Sequence, residues 1–318
     1  MRITENSNYD TIRNTLNRSR EKMGDLQNQS ATLKKLNQPS DDPVGAAKIL
    51  GMRTDKSNND QFQMNSKLAE TYLENSDHAL SDLSEIMLRM KELALNQSST
   101  VNSSQEARQS VAEEVDQLFQ QAVSIANRKV GERYLFGGYQ TLKPPVDAEG
   151  GYHGDDGQMM VEIANDVFVS MNLPGNDIFN THPKFSSIHQ SGYSDSSAQT
   201  LEETGLQNVN LFSELQNFRT ALLAGDLEGV HGTLEGLDQI HSKLVAVRAK
   251  VGARSQGLAS ASRAIERHNL TNATLSSTLE DADMAQVVSE LGKEETVFRS
   301  ALASSKRLVQ PTLLDFLK

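Results

Sequence analysis

Any chemistry in this 318-residue chain would have to come from seven histidines and 42 aspartates and glutamates, because cysteine is absent. A metal centre or catalytic dyad needs such residues at spacings that bring two or three together. His231 and His241 share one helical stretch but stand ten positions apart, where they cannot hold one ion, and they read as seam or surface residues. His182 and His189 bracket a loop with no partner carboxylate pattern. Asp155-Asp156-Gly157 lacks the ligand alternation of an EF-hand loop and reads as a hairpin turn. Asp281, Asp283, Glu290, Glu294 and Glu295 could be taken for a carboxylate site, but on a long helix they read as a solvated face or as partners for Arg and Lys of the next subunit. No Gly-x-Ser-x-Gly elbow, phosphate loop or dinucleotide fingerprint occurs. The expectation is a non-enzymatic protein with no catalytic residue, cofactor or metal.

The elements that would position these side chains are long helices. Aromatic residues make up 5% of the chain and Trp is absent, and mean hydropathy is -0.51. Apolar surface this thin suits helices with narrow seams better than a large core. A net charge of -11 repels phosphate backbones and anionic membrane surfaces, so neither nucleic acid nor membrane is an expected partner. Met1 to Asp10 has no basic region followed by an apolar run, and no apolar stretch reaches the length of a membrane span. The chain is therefore expected to stay in the cytoplasm or to leave by a route that needs no signal peptide. Absence of Cys fits export in an unfolded state.

Proline divides the sequence, since it interrupts helix interiors. Pro39 and Pro43 close a first arm; Pro144, Pro145, Pro174 and Pro183 crowd the middle; Pro311 stands near the end. In the first arm Ile12, Leu16, Met23, Leu26 and Leu33 follow seam spacing, with Ser19 and Ser30 at the small steps. Ser40, Asp41 and Asp42 offer N-cap oxygens and Pro43 suits the first helical position, so a new helix starts near Val44 and keeps its period to about Gln97. Gly45-Ala46-Ala47 is either an ordinary helix start or a place where another backbone comes close.

Ser103 with Glu106 has capping-box spacing for the next helix, which Gly131 can close. Tyr134-Leu135-Phe136 before Gly137-Gly138 switches to an extended strand and tight turn. Residues 141–200 read as a small β-rich insertion, with Val161, Ile163, Val167, Phe168, Val169 and Met171 between turns. A helix with Leu211, Leu215, Phe218 and Leu222 runs to Gly225, and Asp226 caps a second very long one. The last arm repeats the seam at Val288, Leu291, Phe298, Leu302, Val309, Leu313 and Phe316.

The expected fold is mainly α with a small β-rich insertion, elongated and discontinuous, with N- and C-terminal helices pairing as a coiled coil. Its parts are an N-terminal arm at 1–43, a first half of a helical rod plus a β-hairpin at 44–140, the insertion at 141–200, the second half of the rod at 201–275 and a C-terminal arm at 276–318. The arms carry few apolar residues for their length, and ordering them costs more backbone entropy than one narrow seam returns. They are expected to fold on packing against neighbouring subunits.

Three segments carry a resemblance: Pro39-Ser40-Asp41-Asp42-Pro43-Val44-Gly45-Ala46-Ala47, Tyr134-Leu135-Phe136-Gly137-Gly138, and most of Val251 to Lys318, notably Val251-Gly252-Ala253-Arg254, Leu279-Glu280-Asp281-Ala282-Asp283-Met284-Ala285 and Pro311-Thr312-Leu313-Leu314-Asp315-Phe316-Leu317. In these the chain resembles the bacterial flagellin family of axial proteins. The Ser-Asp-Asp-Pro run and the Leu-Phe-Gly-Gly turn resemble the members at the junction of hook and filament more than filament flagellin. The resemblance implies arms that form an inner coiled coil around an export channel, long helices in the next shell and an insertion facing outward. It further implies a secreted protein of the extracellular flagellum, exported by the flagellar type III apparatus. The implied role is an adaptor at the junction, with a short flagellin forming the filament itself as the alternative. Implied partners are hook-associated protein 1, flagellin, further copies in a ring or short helical segment, and an export chaperone at the C-terminal arm. The implied assembly residues are the arm seams named above, with Ser40, Asp41, Asp42, Pro43 and Gly45 at the arm-to-rod junction.

Overall fold

The computed structural model describes residues 2–99, 104–181 and 209–309. Seven helices hold most of them: α1 (Arg2–Thr32), α2 (Pro43–Ser99), α3 (Gln105–Ala126), α4 (Asn176–Phe179), α5 (Leu211–Ala224), α6 (Leu227–Glu280) and α7 (Met284–Val309). Four short strands, β1 (Lys129–Val130), β2 (Arg133–Tyr134), β3 (Met160–Ala164) and β4 (Val167–Ser170), pair as two separate antiparallel hairpins. The chain divides into two compact units, one of residues 1–59 with 266–318 and one of residues 60–265. A mainly helical chain with a small β-rich segment is what the sequence led one to expect.

In the second unit the apolar faces of α2, α3, α5 and α6 meet in one core. Leu73, Leu80, Leu83 and Met90 of α2 are fully buried, as are Val115 of α3, Leu215 and Phe218 of α5, and Leu244 of α6. Four phenylalanines come together in this core. Phe119, Phe212, Phe179 and Phe136 form a chain of ring contacts with centroids 6.1, 5.2 and 5.9 Å apart, and the first and last meet edge to face. This ladder joins α3 and α5 to the segment after β2 and to α4.

Several local expectations shift by a residue or more. The N-cap of α3 is Ser104, which accepts from Ala107 N at 3.2 Å; Ser103 lies outside the described residues. Gly131 does not close α3. That helix ends at Ala126 with Asn127 as C-cap, whose side chain bonds both N and O of Val146, while Gly131, at φ +61°, turns the chain between β1 and β2. Asp155-Asp156-Gly157 is not a hairpin turn either: Asp155 Oδ1 accepts from Tyr139 N at 2.6 Å and Gly157 N at 2.9 Å, and the β3–β4 hairpin turns at Asp166, φ +58°. Tight turn chemistry is common to all three places, so residue type alone cannot rank them.

Gly138 shows why the Leu-Phe-Gly-Gly segment reads as it does. Its φ is +68°, and an added Cβ would stand 2.3 Å from Asp155 O. Glycine is required twice there, for the dihedral and for the space. Gly225, at φ +69°, ends α5 in the left-handed conformation, and Asp226 Oδ1 accepts from Glu228 N at the start of α6, both as anticipated.

Candidate assembly site

The residues expected to carry assembly fall in the first unit, on α1, α7 and the two crossovers that join them to the long helices. α1 and α7 run antiparallel, as the pairs Lys34 with Asp281 and Lys22 with Glu294 fix. Along α1 the inward row is Ile12, Leu16, Ser19, Met23, Leu26 and Ser30, in alternating steps of four and three. Leu26 is 5% exposed and Ser19 6%, and the other four are half-buried. Along α7 the matching row is Met284, Val287, Leu291, Glu294, Phe298 and Ala301, again the three-four spacing of a coiled-coil seam.

This row differs from the expected one. Leu291 and Phe298 lie on it, but Val288 and Leu302 stand one position round, 58% and 42% exposed, while Val287 is 6% exposed. Both rows keep three-four spacing around Leu291 and Phe298, and packing against α1 selects the one with Val287 and Ala301 over the one with Val288 and Leu302. Leu33 also leaves the seam: α1 ends at Thr32, and Leu33 is 57% exposed with φ +59°. Val309 ends α7; Leu313 and Phe316, like Pro311, His182 and His189, lie outside the described residues.

The sequence reading missed the polar layer within this seam. Glu294 accepts from Lys22 Nζ at 2.7 Å and from Ser19 Oγ at 3.2 Å, and the Lys22 hydrogen bond holds its carboxyl below the ordinary range. Its partners Ser19 and Lys22 belong to the same chain, a pairing that the reading as a solvated face or as partners of the next subunit did not include. Glu295 likewise reaches Arg299, Glu290 accepts from Gln286, and Asp281 accepts from Ser277. Asp283 caps α7, taking the N–H of Ala285 and Gln286. The signal that could have found Glu294 was its heptad phase, shared with Val287 and Ala301.

The crossovers from α1 to α2 and from α6 to α7 lie side by side. Lys35 N donates to Glu280 O at 2.7 Å and Ala282 N to Leu33 O at 3.0 Å. Glu280, 9% exposed, then binds Lys34 Nζ at 2.5 Å and Arg53 at 2.6 Å through one oxygen. These contacts, Lys34 foremost, depress its pKa. In the Ser-Asp-Asp-Pro run each acid has a separate task. Asp41 Oδ2 accepts from Asn37 N and Gln38 N and closes the turn before it. Asp42 Oδ1 accepts from Val44 N and Gly45 N and caps α2, with Pro43 at its first position. Ser40 Oγ reaches only Gln38 Oε1, at 3.4 Å. Gly45 is buried, but what crowds it is Asp42 and Leu36 of its own chain rather than another backbone.

Among the described residues no group of three or more His, Asp or Glu is placed to hold a metal ion, and no helix is long and apolar enough to cross a membrane. The site is thus a set of helix faces and strapped crossovers. Such faces can bind other helices and orient them. The model of the bacterial flagellin N-terminal helical region matches residues 3–141, which hold α1, α2, α3 and the first hairpin.

The chain is similar to flagellar hook-associated protein 3 of Salmonella typhimurium, 23% identical over 305 residues that span 95% of each chain. It is also similar to the flagellin of Listeria innocua, 24% identical over 288 residues, 91% of this chain and 88% of that one. Among solved structures, flagellar hook associated protein-3 of Legionella pneumophila shares the fold with a TM-score of 0.60, at 18% identity, over 73% of this chain and 98% of that one. The motifs that carried the resemblance in the sequence thus sit in a chain similar to hook-associated protein 3 over nearly its whole length.

Proposed function

We propose that this chain is a structural, non-enzymatic subunit of the flagellum that joins the hook-side assembly to the flagellin filament. The observation that carries this reading is similarity to hook-associated protein 3 along 95% of both chains, and the helix-face character of the assembly site supports it. The α1–α7 pair leaves most of its seam half-buried and keeps Val288, Val297 and Leu302 of α7 exposed. A single copy therefore does not satisfy these helices, and neighbouring copies complete them. In this reading the arms gain lasting order in the polymer. The partners are hook-associated protein 1 on one side and flagellin on the other, with a ring or short helical segment of copies between them. An export chaperone holds the C-terminal arm before secretion through the type III route. The arms are 1–43 and 276–318, the helical body 44–140 and 201–275, and 141–200 faces outward.

Deleting the gene tests the proposal. Cells should make hooks without attached filaments and lose flagellin to the medium; full filaments on such cells would end it. The comparable similarity to flagellin keeps a filament subunit as the rival reading. Labelling intact flagella with an antibody to residues 141–200 separates the two, since a band at the filament base marks a junction subunit and labelling along the whole filament marks flagellin.

A further inference from the structure

The β3–β4 hairpin has strands of five and four residues, too little to stand alone in water. Its inner residues Val161, Ile163 and Val169 lie against the core of the second unit, while Met160, Val167 and Phe168 on the outside are 56%, 48% and 55% exposed. The segments before and after it are tied firmly to the short helices. Asn127 bonds both N and O of Val146, Gln216 of α5 donates to Glu149 O at 2.7 Å, and the ladder of phenylalanines fixes α4.

The hairpin and its flanks reach the long helices differently. Among the described residues the polar ties are two, one per helix. Asn65 Nδ2 of α2 donates to Glu162 O at 2.7 Å, and Arg254 Nη1 of α6 donates to Asn172 O at 3.3 Å. Asn172 passes this hold to both strand ends. It is 1% exposed, its Oδ1 accepts from Met159 N at 2.7 Å and its Nδ2 donates to Gly157 O at 2.9 Å, and Ser170 Oγ donates to its carbonyl at 3.0 Å. Arg254 is half-buried and makes no ion pair among the described residues. Burial pushes its guanidinium down from the ordinary value, with Asp177 opposing. A cation desolvated for one carbonyl regains water when the contact opens, which lowers the cost of opening.

We infer that the β3–β4 hairpin is a flap, closed on α2 by Asn65 and on α6 by Arg254, that opens as one body ahead of the rest of its unit. Opening uncovers Val161, Ile163 and Val169 and leaves the helices and the aromatic ladder in place. This places a low-stability element beside a rigid core, where local opening equilibria are expected. It also gives the Val-Gly-Ala-Arg segment of α6 a purpose that the assembly role leaves unassigned.

Hydrogen exchange of the full chain tests it. In the unmodified protein, peptide 159–171 should exchange through an opening that responds weakly to denaturant, while peptides of α3 and α5 respond steeply because they open only with the core. Asn65→Ala and Arg254→Ala should each speed exchange in 159–171 about five- to thirtyfold, and together by roughly the product of the two. Peptides 105–126 and 211–224 should keep their rates. Denaturant dependence in 159–171 equal to that of α3 would overturn the flap in the unmodified protein, whatever the variants do. So would variants that leave 159–171 unchanged, or that speed exchange equally everywhere.

Discussion

Glu280→Gln is the sharpest test of the strapped crossovers. The carboxylate is 9% exposed and puts one oxygen between Lys34 Nζ at 2.5 Å and Arg53 at 2.6 Å. Gln keeps the shape and removes the charge. Two charge-assisted bonds would weaken by roughly 3 kcal/mol or more if fully enclosed. The Lys34 and Arg53 side chains are 43% and 60% exposed, however, and water screens them, so about 1–2 kcal/mol is expected instead. That corresponds to roughly a five- to thirtyfold change in a local opening constant. The amides of Lys35 and Ala282 bridge the two crossovers, and their exchange reports the opening directly. Both should speed up by that factor at neutral pH, while amides of α3 stay as they were. Because the folded carboxyl titrates below its ordinary value, its contribution is complete above that ordinary value and is lost as pH falls through the depressed one. The difference between variant and parent should therefore vanish in acid. Unchanged exchange at Lys35 and Ala282, or a difference that persists in strong acid, would refute the reasoning.

Three further outcomes follow from the geometry. Asp42→Ala removes the cap of α2 and should cost about 1 kcal/mol, read as loss of protection at Val44 and Gly45 with Ser40→Ala nearly silent. Phe212→Ala empties a site 1% exposed between Phe119 and Phe179 and should cost about 3–5 kcal/mol, lowering the cooperative melting of the second unit by circular dichroism. Val288→Glu with Leu302→Glu alters exposed positions only, so the helical spectrum of the single chain should stay the same while incorporation into flagella, scored by immunolabelling, is lost.

Much of this molecule was legible before any coordinates. The helix start at Pro43 and the stops at Gly225 and near Gln97 were readable, because caps and breakers act within a few residues of themselves. The inward row of α1 was also legible, since Ser19 and Ser30 keep the same phase as its apolar neighbours. The row of α7 was misread where Val288 and Val287, or Leu302 and Ala301, compete: adjacent residues differ by about a hundred degrees of helix azimuth, and only the partner helix chooses between them.

Other features depend on chain segments far apart in sequence. Glu280 looked like one carboxylate among many until the fold set it beside Lys34 and Arg53. Glu294 became a seam residue only opposite Ser19 and Lys22. Arg254 gained its meaning from a carbonyl 82 positions away. The sequence alone determined where this chain is helical, where it turns and which family it resembles, because periodicity, capping and the conformational limits of Gly and Pro are local. Which charges are paired, which apolar rows remain exposed and which side chains tie the β3–β4 hairpin to the long helices were decided by tertiary structure. Those properties depend on distance in space, and no local pattern encodes it.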